Sequence, residues 1–213
     1  DLLVIVINKN TKDKVVNQLA KDVSSHLKES GSSVLVPNAK SFNAKNVLLV
    51  KGFQESDQIH KLISMYQSIA QKGNQLKAKD ISIMPGTVYP KGKCEMWLIE
   101  MVAKTIESNV YIFSETCNKT AKKPSVKKLN ILVSSLTKSD LIKAKNAAKK
   151  GYAIGEGVNS AKYLGDLPAN HCTPRIIEKK VKAMTKDFPK LKVKSFNENQ
   201  MKKMGMGSFL SVS

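Results

Sequence analysis

Arginine and aromatic residues are scarce in this 213-residue sequence. Of its 36 basic residues only Arg175 is arginine, and aromatic residues make up 6% of the chain. Guanine readout relies on arginine, and unpaired bases stack on aromatic rings, so sequence-specific nucleic-acid recognition is disfavoured. The net charge of +19 still permits non-specific contacts with phosphate backbones, although a solvated, lysine-rich surface is the favoured explanation.

Cysteines and long hydrophobic runs are also few. Cys94, Cys117 and Cys172 are widely spaced and form no Cys-x-x-Cys pair, which argues against a disulfide framework and favours a reducing, cytoplasmic setting. The longest pure apolar run near the start, LLVIVI, is far shorter than the roughly 18 residues of a membrane span. We therefore expect neither a membrane span nor a secretory signal.

Short apolar runs alternate with helical patterns through residues 1–136. The runs are rich in valine, isoleucine and leucine, and they predict strands at 2–7, 33–37, 47–51, 81–84, 110–113 and 129–135. Amphipathic stripes predict helices between them, along 59–73, along 96–106, and through Val15, Val16, Leu19, Ala20, Val23 and Leu27. This alternation predicts an α/β domain whose sheet is covered on both faces.

A long helical pattern follows over residues 137–167. Thr137 and Asp140 have the spacing of a capping box, and Pro168 lies where the helix must stop. One apolar face continues for nearly seven turns through Leu141, Ala144, Ala148, Gly151, Ile154, Val158, Ala161 and Leu164. Its length and position predict a connector helix between two parts of the protein.

Residues 168–213 are predicted to begin a second part of the protein. Thr173 and Pro174 form a good helix start, and the helix is predicted to run toward Phe188. A strand at 191–196, a short helix near 199–204 and a strand through Phe209, Leu210 and Val212 are predicted after it. So few residues cannot build a core of their own, so we expect a second domain that is cut off soon after it begins.

The adjacent pair His171 and Cys172 invites a catalytic or metal-binding interpretation. Neighbouring residues of an extended segment point to opposite sides, and a cysteine nucleophile needs its histidine across space. The other histidines, His26 and His60, lie on predicted helices and are interpreted as surface residues. The pair is therefore interpreted as part of a bend, with no metal site.

Two further patterns are interpreted as structural. Gly155 and Gly157 lie within a helical period rather than after a strand, so they indicate close helix packing instead of a dinucleotide site. The acids between 139 and 195 show no spacing that would hold a hard cation; they are Asp140, Glu156, Asp166, Glu178 and Asp187. The sequence thus predicts no catalytic, cofactor-binding or metal-ligating residue within these 213 residues.

Three segments carry a family resemblance. The first contains Gly157, Asn159, Ala161, Lys162 and Leu164; the second contains Asp166, Pro168, Asn170, Thr173 and Pro174; the third contains Met201, Met206, Gly207, Leu210 and Val212. Together they resemble the leucyl (cytosol) aminopeptidase family, with Lys162 and Asp166 replacing the usual arginine and asparagine. The resemblance is specific from about residue 151 and weaker before it.

The resemblance implies a macro-domain-like amino-terminal domain with a mixed sheet at 1–136, a connector helix at 137–167 and the truncated start of an α/β catalytic domain at 168–213. It implies that the parent is a cytoplasmic, hexameric metallo-aminopeptidase that uses two zinc or manganese ions to release amino-terminal residues from peptides. The family's ligand motifs do not occur here, so this chain alone is expected to be inactive.

Other functions stay open at this point. A non-specific DNA-binding module would use the basic charge, and an oligomerisation module would mainly set the geometry of an assembly. A macro-like domain could also bind ADP-ribose, but no glycine-rich phosphate loop follows a strand. In the aminopeptidase interpretation, Asn170 and Thr173 serve as turn and cap residues.

Overall fold

Five strands form one mixed sheet in the computed structural model, which describes residues 1–8, 16, 18, 21–38, 42, 44–54, 57–116, 123–133 and 137–211. The strands are β1 (Leu2–Ile7), β2 (Ser33–Pro37), β3 (Asn46–Lys51), β4 (Asp80–Met84) and β5 (Lys128–Ile131). Their spatial order is β2-β3-β1-β4-β5, and β2 runs antiparallel to β3 while the other neighbours are parallel.

The apolar runs are buried on both faces of the sheet, as the sequence predicted. Leu2, Val4 and Val6 of β1 face one way and join a core with two helices, α1 (Ile59–Gln75) and α2 (Glu95–Val110). Ile5 faces the other way and packs in a second core with Val16, Leu27, Val47 and Leu49. Continuous Val, Ile and Leu content is what a sheet covered on both sides requires.

The first predicted helical stripe lies partly outside the described residues. Val15, Leu19 and Ala20 fall there, whereas Val16 and Leu27 are buried. A short 3₁₀ helix, Ser24–His26, lies at the end of this stretch.

Two strand predictions in this region were wrong or too long. Residues 111–114 have no regular structure, because the chain stays helical through Val110 and the apolar stripe of α2 ends there. The strand predicted at 129–135 ends at Ile131. Residues 134 and 135 of that prediction lie outside the described part of the chain.

Helix α3 (Lys138–Asp166) is the long helix that the sequence predicted. At its start the Thr137 hydroxyl accepts the Asp140 backbone N–H at 3.2 Å and donates to the Asp140 carboxylate at 2.7 Å. The predicted apolar face was only partly correct. Ala144 and Gly151 are buried, but Leu141, Ile154 and Val158 are exposed, and Gly155 is buried in their place.

Residues 1–162 and 163–213 form two compact units. In the second unit, α4 (Pro174–Asp187), α5 (Glu198–Lys203) and α6 (Gly207–Leu210) follow the end of α3. Helix α4 confirms the predicted start at Thr173 and Pro174, and α5 begins with a complete capping box between Asn197 and Gln200.

The two strands predicted for the second unit were wrong. Residues 191–197 have no regular structure, and Gly207–Leu210 forms a helical turn instead of a strand, while Val212 of the predicted strand lies outside the described residues. The cause is the same in both places: a strand needs a hydrogen-bonded neighbour, and the described residues of this unit contain no strand. Leu167 is the one buried hydrophobic residue among them.

No helix among the described residues combines the length and apolar character needed to cross a membrane.

Candidate functional site

The His171–Cys172 pair lies in a turn, as predicted. The backbone N–H of His171 donates to the Pro168 carbonyl at 2.8 Å, and that of Cys172 donates to the same carbonyl at 3.0 Å. His171 is exposed and Cys172 is half-buried and free. Two consecutive N–H groups on one carbonyl close a tight turn, which leads directly into the helix start at Thr173.

The other described histidines and cysteine, all in the first unit, belong to different segments of the chain. His26 is exposed, and its Nδ1 lies 3.0 Å from the Ser25 hydroxyl. His60 is exposed in the first turn of α1, and Cys94 is exposed just before α2. Cys117 lies outside the described residues.

The carboxylates of the described residues likewise lack the arrangement that a metal centre needs. Across the described ranges, no group of three or more His, Cys, Asp or Glu side chains is placed to hold a metal ion. Asp140 pairs with Lys143 at 3.2 Å and Glu178 with Lys182 at 2.5 Å, both on exposed helix surfaces. Hydrogen bonds from Thr137 and Lys182 hold the pKa of Asp140 and Glu178, respectively, below the usual range. The two divalent cations that the resemblance implies therefore do not fit the described residues.

The most specific arrangement in the first unit is the contact between α2 and α3. Gly151 faces Glu100, and a Cβ on Gly151 would lie 2.2 Å from the Glu100 carbonyl oxygen. Gly155 faces Glu107, whose Cβ would lie 2.6 Å from an added Cβ. Only glycine permits this approach, which confirms the packing interpretation of Gly155. Gly157 has open space around it, so the same interpretation of Gly157 was wrong.

Polar groups extend this contact toward the carboxyl end of α2. The Asn159 amide donates to the Glu107 carbonyl at 3.0 Å and to the Glu107 carboxylate at 3.3 Å. The Lys162 ammonium donates to the Ser108 carbonyl and lies 6.0 Å from the centre of the Tyr111 ring. These two residues of the first family segment thus fasten α3 to the end of α2, a role that the sequence did not reveal.

Glu107 is the titratable group that sequence reasoning missed. Half-burial raises its pKa, the nearby Glu156 carboxylate raises it further, and the hydrogen bond from Asn159 acts in the opposite direction. Burial, followed by a hydrogen bond with Glu156, also raises the pKa of Tyr152 on α3. The only sequence signal for this cluster was the i, i+4 spacing of Tyr152 and Glu156; its partner Glu107 lies on another helix.

Two cavities adjoin these helix ends. One of about 720 Å³ lies among α2, α3 and β5, and its lining is mostly apolar. Another of about 740 Å³ lies at the carboxyl ends of α1 and α2, and Lys162 and Tyr111 contribute to its wall.

The carboxyl-terminal part of the chain is similar to a known protein family. Residues 159–213 match the model of the cytosol aminopeptidase family, catalytic domain. The resemblance to the leucyl aminopeptidase family is confirmed. The match begins at Asn159, so Asn159 and Lys162 lie where the part that resembles the aminopeptidase catalytic domain starts, and the glycine contacts precede it.

Curated relatives extend the similarity to cytosol aminopeptidases over most of the chain. A probable cytosol aminopeptidase of Pseudomonas paraeruginosa is 30% identical over 187 residues, which cover 86% of this chain and 37% of the relative. One from Alkalilimnicola ehrlichii is 31% identical over 186 residues, with the same shares of 86% and 37%. The chain thus spans little more than a third of the length of these aminopeptidases.

Solved structures support the fold. A mutant tomato leucine aminopeptidase superposes with a TM-score of 0.71 at 18% identity, over 96% of this chain and 43% of that one. The bottromycin maturation enzyme BotP, in complex with Mn, has a TM-score of 0.60 at 15% identity, over 88% and 36% of the two chains. The α/β architecture with a five-stranded mixed sheet is therefore similar to that of leucine aminopeptidase.

Proposed function

We propose that this chain is the amino-terminal portion of a metallo-aminopeptidase that releases amino-terminal residues from peptides in the cytoplasm. The match of residues 159–213 to the aminopeptidase catalytic domain carries this proposal. The proposed division has a macro-like domain at 1–136, a connector helix at 137–167 and the beginning of the catalytic domain at 168–213.

In this proposal the chain acts as a scaffold. The described residues offer no ligand set for a metal, so the two divalent cations, zinc or manganese, would be held by residues outside them. The first unit's contribution is to fix α3 in place through the glycine contacts and through Asn159 and Lys162. A rigid helix leading into a catalytic domain is a means of positioning that domain.

Activity of the intact protein tests the proposal. Purified full-length protein should hydrolyse leucine p-nitroanilide, lose that activity on dialysis against a chelator, and regain it with manganese or zinc. A substrate blocked at its amino group should not be cleaved. Cleavage of the blocked substrate, or full activity after chelation, would refute an aminopeptidase of this type.

The proposal includes assembly into a homo-oligomer, namely a hexamer. A separate observation supports this assembly. Helix α3 exposes large apolar side chains, including Ile142 (62% exposed), Tyr152 (49%) and Ile154 (39%). An exposed apolar helix face is a common feature of surfaces that become buried on association. Light scattering coupled to gel filtration should give six times the subunit mass, and a monomer at micromolar concentration would contradict this part.

Non-specific DNA binding is the alternative function. The charge of +19 favours it, since lysines release counterions from phosphate backbones. Binding to random duplex DNA should weaken steeply and linearly in log salt. Absence of binding at low salt would end this alternative without affecting the aminopeptidase proposal.

A further inference from the structure

Five lysines surround the cavity at the carboxyl ends of α1 and α2. They are Lys77, Lys79, Lys123, Lys127 and Lys162, and no Asp or Glu occurs among the described residues that line this cavity. Its volume of about 740 Å³ lies in the range of small-molecule sites. All five lysines are exposed residues, and Lys162 already donates a hydrogen bond to the Ser108 carbonyl at the cavity wall.

Hydrogen bonds fix the walls of this lysine-lined cavity. The Asn74 amide donates to the Val110 carbonyl at 2.8 Å, and its oxygen accepts the Ser125 backbone N–H at 3.1 Å. The Lys127 backbone N–H donates to the Lys79 carbonyl at 2.7 Å. Asn74 thus joins both helix ends to the segment that carries Lys123 and Lys127, and the lysines stand on fixed backbone.

The negative ends of the helix dipoles offset only a part of the positive charge of these five lysines. Each helix carboxyl end carries roughly half a negative charge, so α1 and α2 together offset about one of the five lysines. Asp1, which is not among the described lining residues, accepts the Lys79 backbone N–H through its carboxylate at 3.0 Å. The described lining therefore presents lysines without a lining carboxylate, which is the pattern expected where a polyanion binds.

The backbone of Lys77 has a conformation that glycine or asparagine adopts more readily than lysine. It follows the end of α1 with φ of +52°, in the left-handed region. The Ala78 N–H returns to the Gly73 carbonyl at 3.0 Å, which is the closing bond of a Schellman helix end. Glycine or asparagine is favoured at such a site, so a lysine there costs some stability relative to either of them.

We propose that this cavity binds a small anion with clustered phosphates, either a nucleoside triphosphate or inorganic tripolyphosphate. Several ammonium groups around one compact space match several phosphates on one molecule. A nucleic-acid strand would instead need an extended groove along its backbone. Tyr111 borders the cavity and offers an aromatic ring on which a nucleobase could stack.

The test uses titration calorimetry with tripolyphosphate and with ATP on the 213-residue chain and on two matched variants. Lys77→Asn removes one cavity lysine and suits the left-handed backbone, so the melting temperature should stay the same or rise. Its affinity for tripolyphosphate should fall by about fivefold to tenfold. Lys91→Asn removes an exposed lysine from a turn away from the cavity and should change affinity by less than about twofold.

The outcomes separate the ligands. Tighter binding of ATP than of tripolyphosphate identifies a nucleotide, and equal binding identifies the phosphates alone; both support the proposal. Failure of both anions to bind at 150 mM salt overturns it. Equal weakening by the two variants also overturns it, because the effect would then come from overall charge. Binding of duplex DNA alone, affected equally by both variants, would identify a general basic surface and reject the cavity.

Discussion

Gly151 of α3 lies directly against the backbone of Glu100 in α2, where an added Cβ would come within 2.2 Å of the Glu100 carbonyl oxygen. Backbone atoms cannot move aside as a flexible side chain can. The contact therefore sets the distance between the two helices, and it explains why the face of α3 that contains glycine is buried while Leu141 and Ile154 remain exposed.

Replacement of Gly151 should therefore destabilise the first unit. Gly151→Ala is expected to lower the free energy of unfolding by about 2 kcal/mol, because overpacking outweighs the gain in helix propensity. Gly157→Ala is the matched control, since open space surrounds Gly157 in the same helix. It should raise stability by about 0.5–1 kcal/mol. Urea unfolding measures both; equal effects of the two replacements would contradict the close contact.

The Glu107 cluster predicts a pH dependence of stability. Because the folded protein raises the pKa of Glu107, its ionised form is penalised at neutral pH and the penalty disappears as pH falls toward the ordinary glutamate value. Glu107→Gln keeps an acceptor for Asn159 and removes the charge. It should stabilise the protein at pH 7 by about 0.5 kcal/mol or less, given solvent screening, and have less effect near pH 4.

Thermal melts of both proteins from pH 4 to pH 8 check this sign. The gain in the free energy of unfolding of Glu107→Gln over the unsubstituted protein should grow as pH rises and then level off. A difference that shrinks with rising pH would mean that the carboxylate is favourably paired in the folded state, contrary to the half-buried position beside Glu156.

The amino-terminal cap of α3 provides a third prediction. Thr137→Ala removes the hydroxyl that accepts the Asp140 N–H at 3.2 Å, and it should cost about 1 kcal/mol of stability. Thr137→Ser keeps the hydroxyl and should cost at most a few tenths. Chemical unfolding of the two variants separates the cap from the loss of the methyl group, and an equal loss in both would show that the hydroxyl is unimportant.

Much of the fold could be predicted because strong local patterns coincide with burial. The strands from LLVIVI to ISIM and the helices α1 to α5 were predicted from apolar periodicity and cap residues. The predicted strand at 191–196 failed because sequence alternation says nothing about whether a neighbouring strand exists. The buried face of α3 was predicted incorrectly because the hydrophobic pattern places Ile154 and Val158 inside. In the structure the close approach to α2 requires a small residue, and Gly155 is the buried one.

The resemblance to aminopeptidases could be predicted from short segments, but the roles of their residues could not. Asn159 and Lys162 were noted as parts of a pattern, and only the structure places them on the Glu107 and Ser108 carbonyls. Partners on a different helix, about fifty residues away, leave no periodic signal in the sequence. The same reason hid the lysines around the cavity, which come from three separate segments.

The proposal on which the functional argument depends is that these 213 residues act as scaffold for an aminopeptidase and do not themselves cleave peptides. Hydrolysis of leucine p-nitroanilide by the isolated chain, with manganese or zinc added and the full-length protein as positive control, tests it most directly. We expect turnover by the full-length protein and none above background by the chain. Metal-dependent turnover by the chain alone would contradict it.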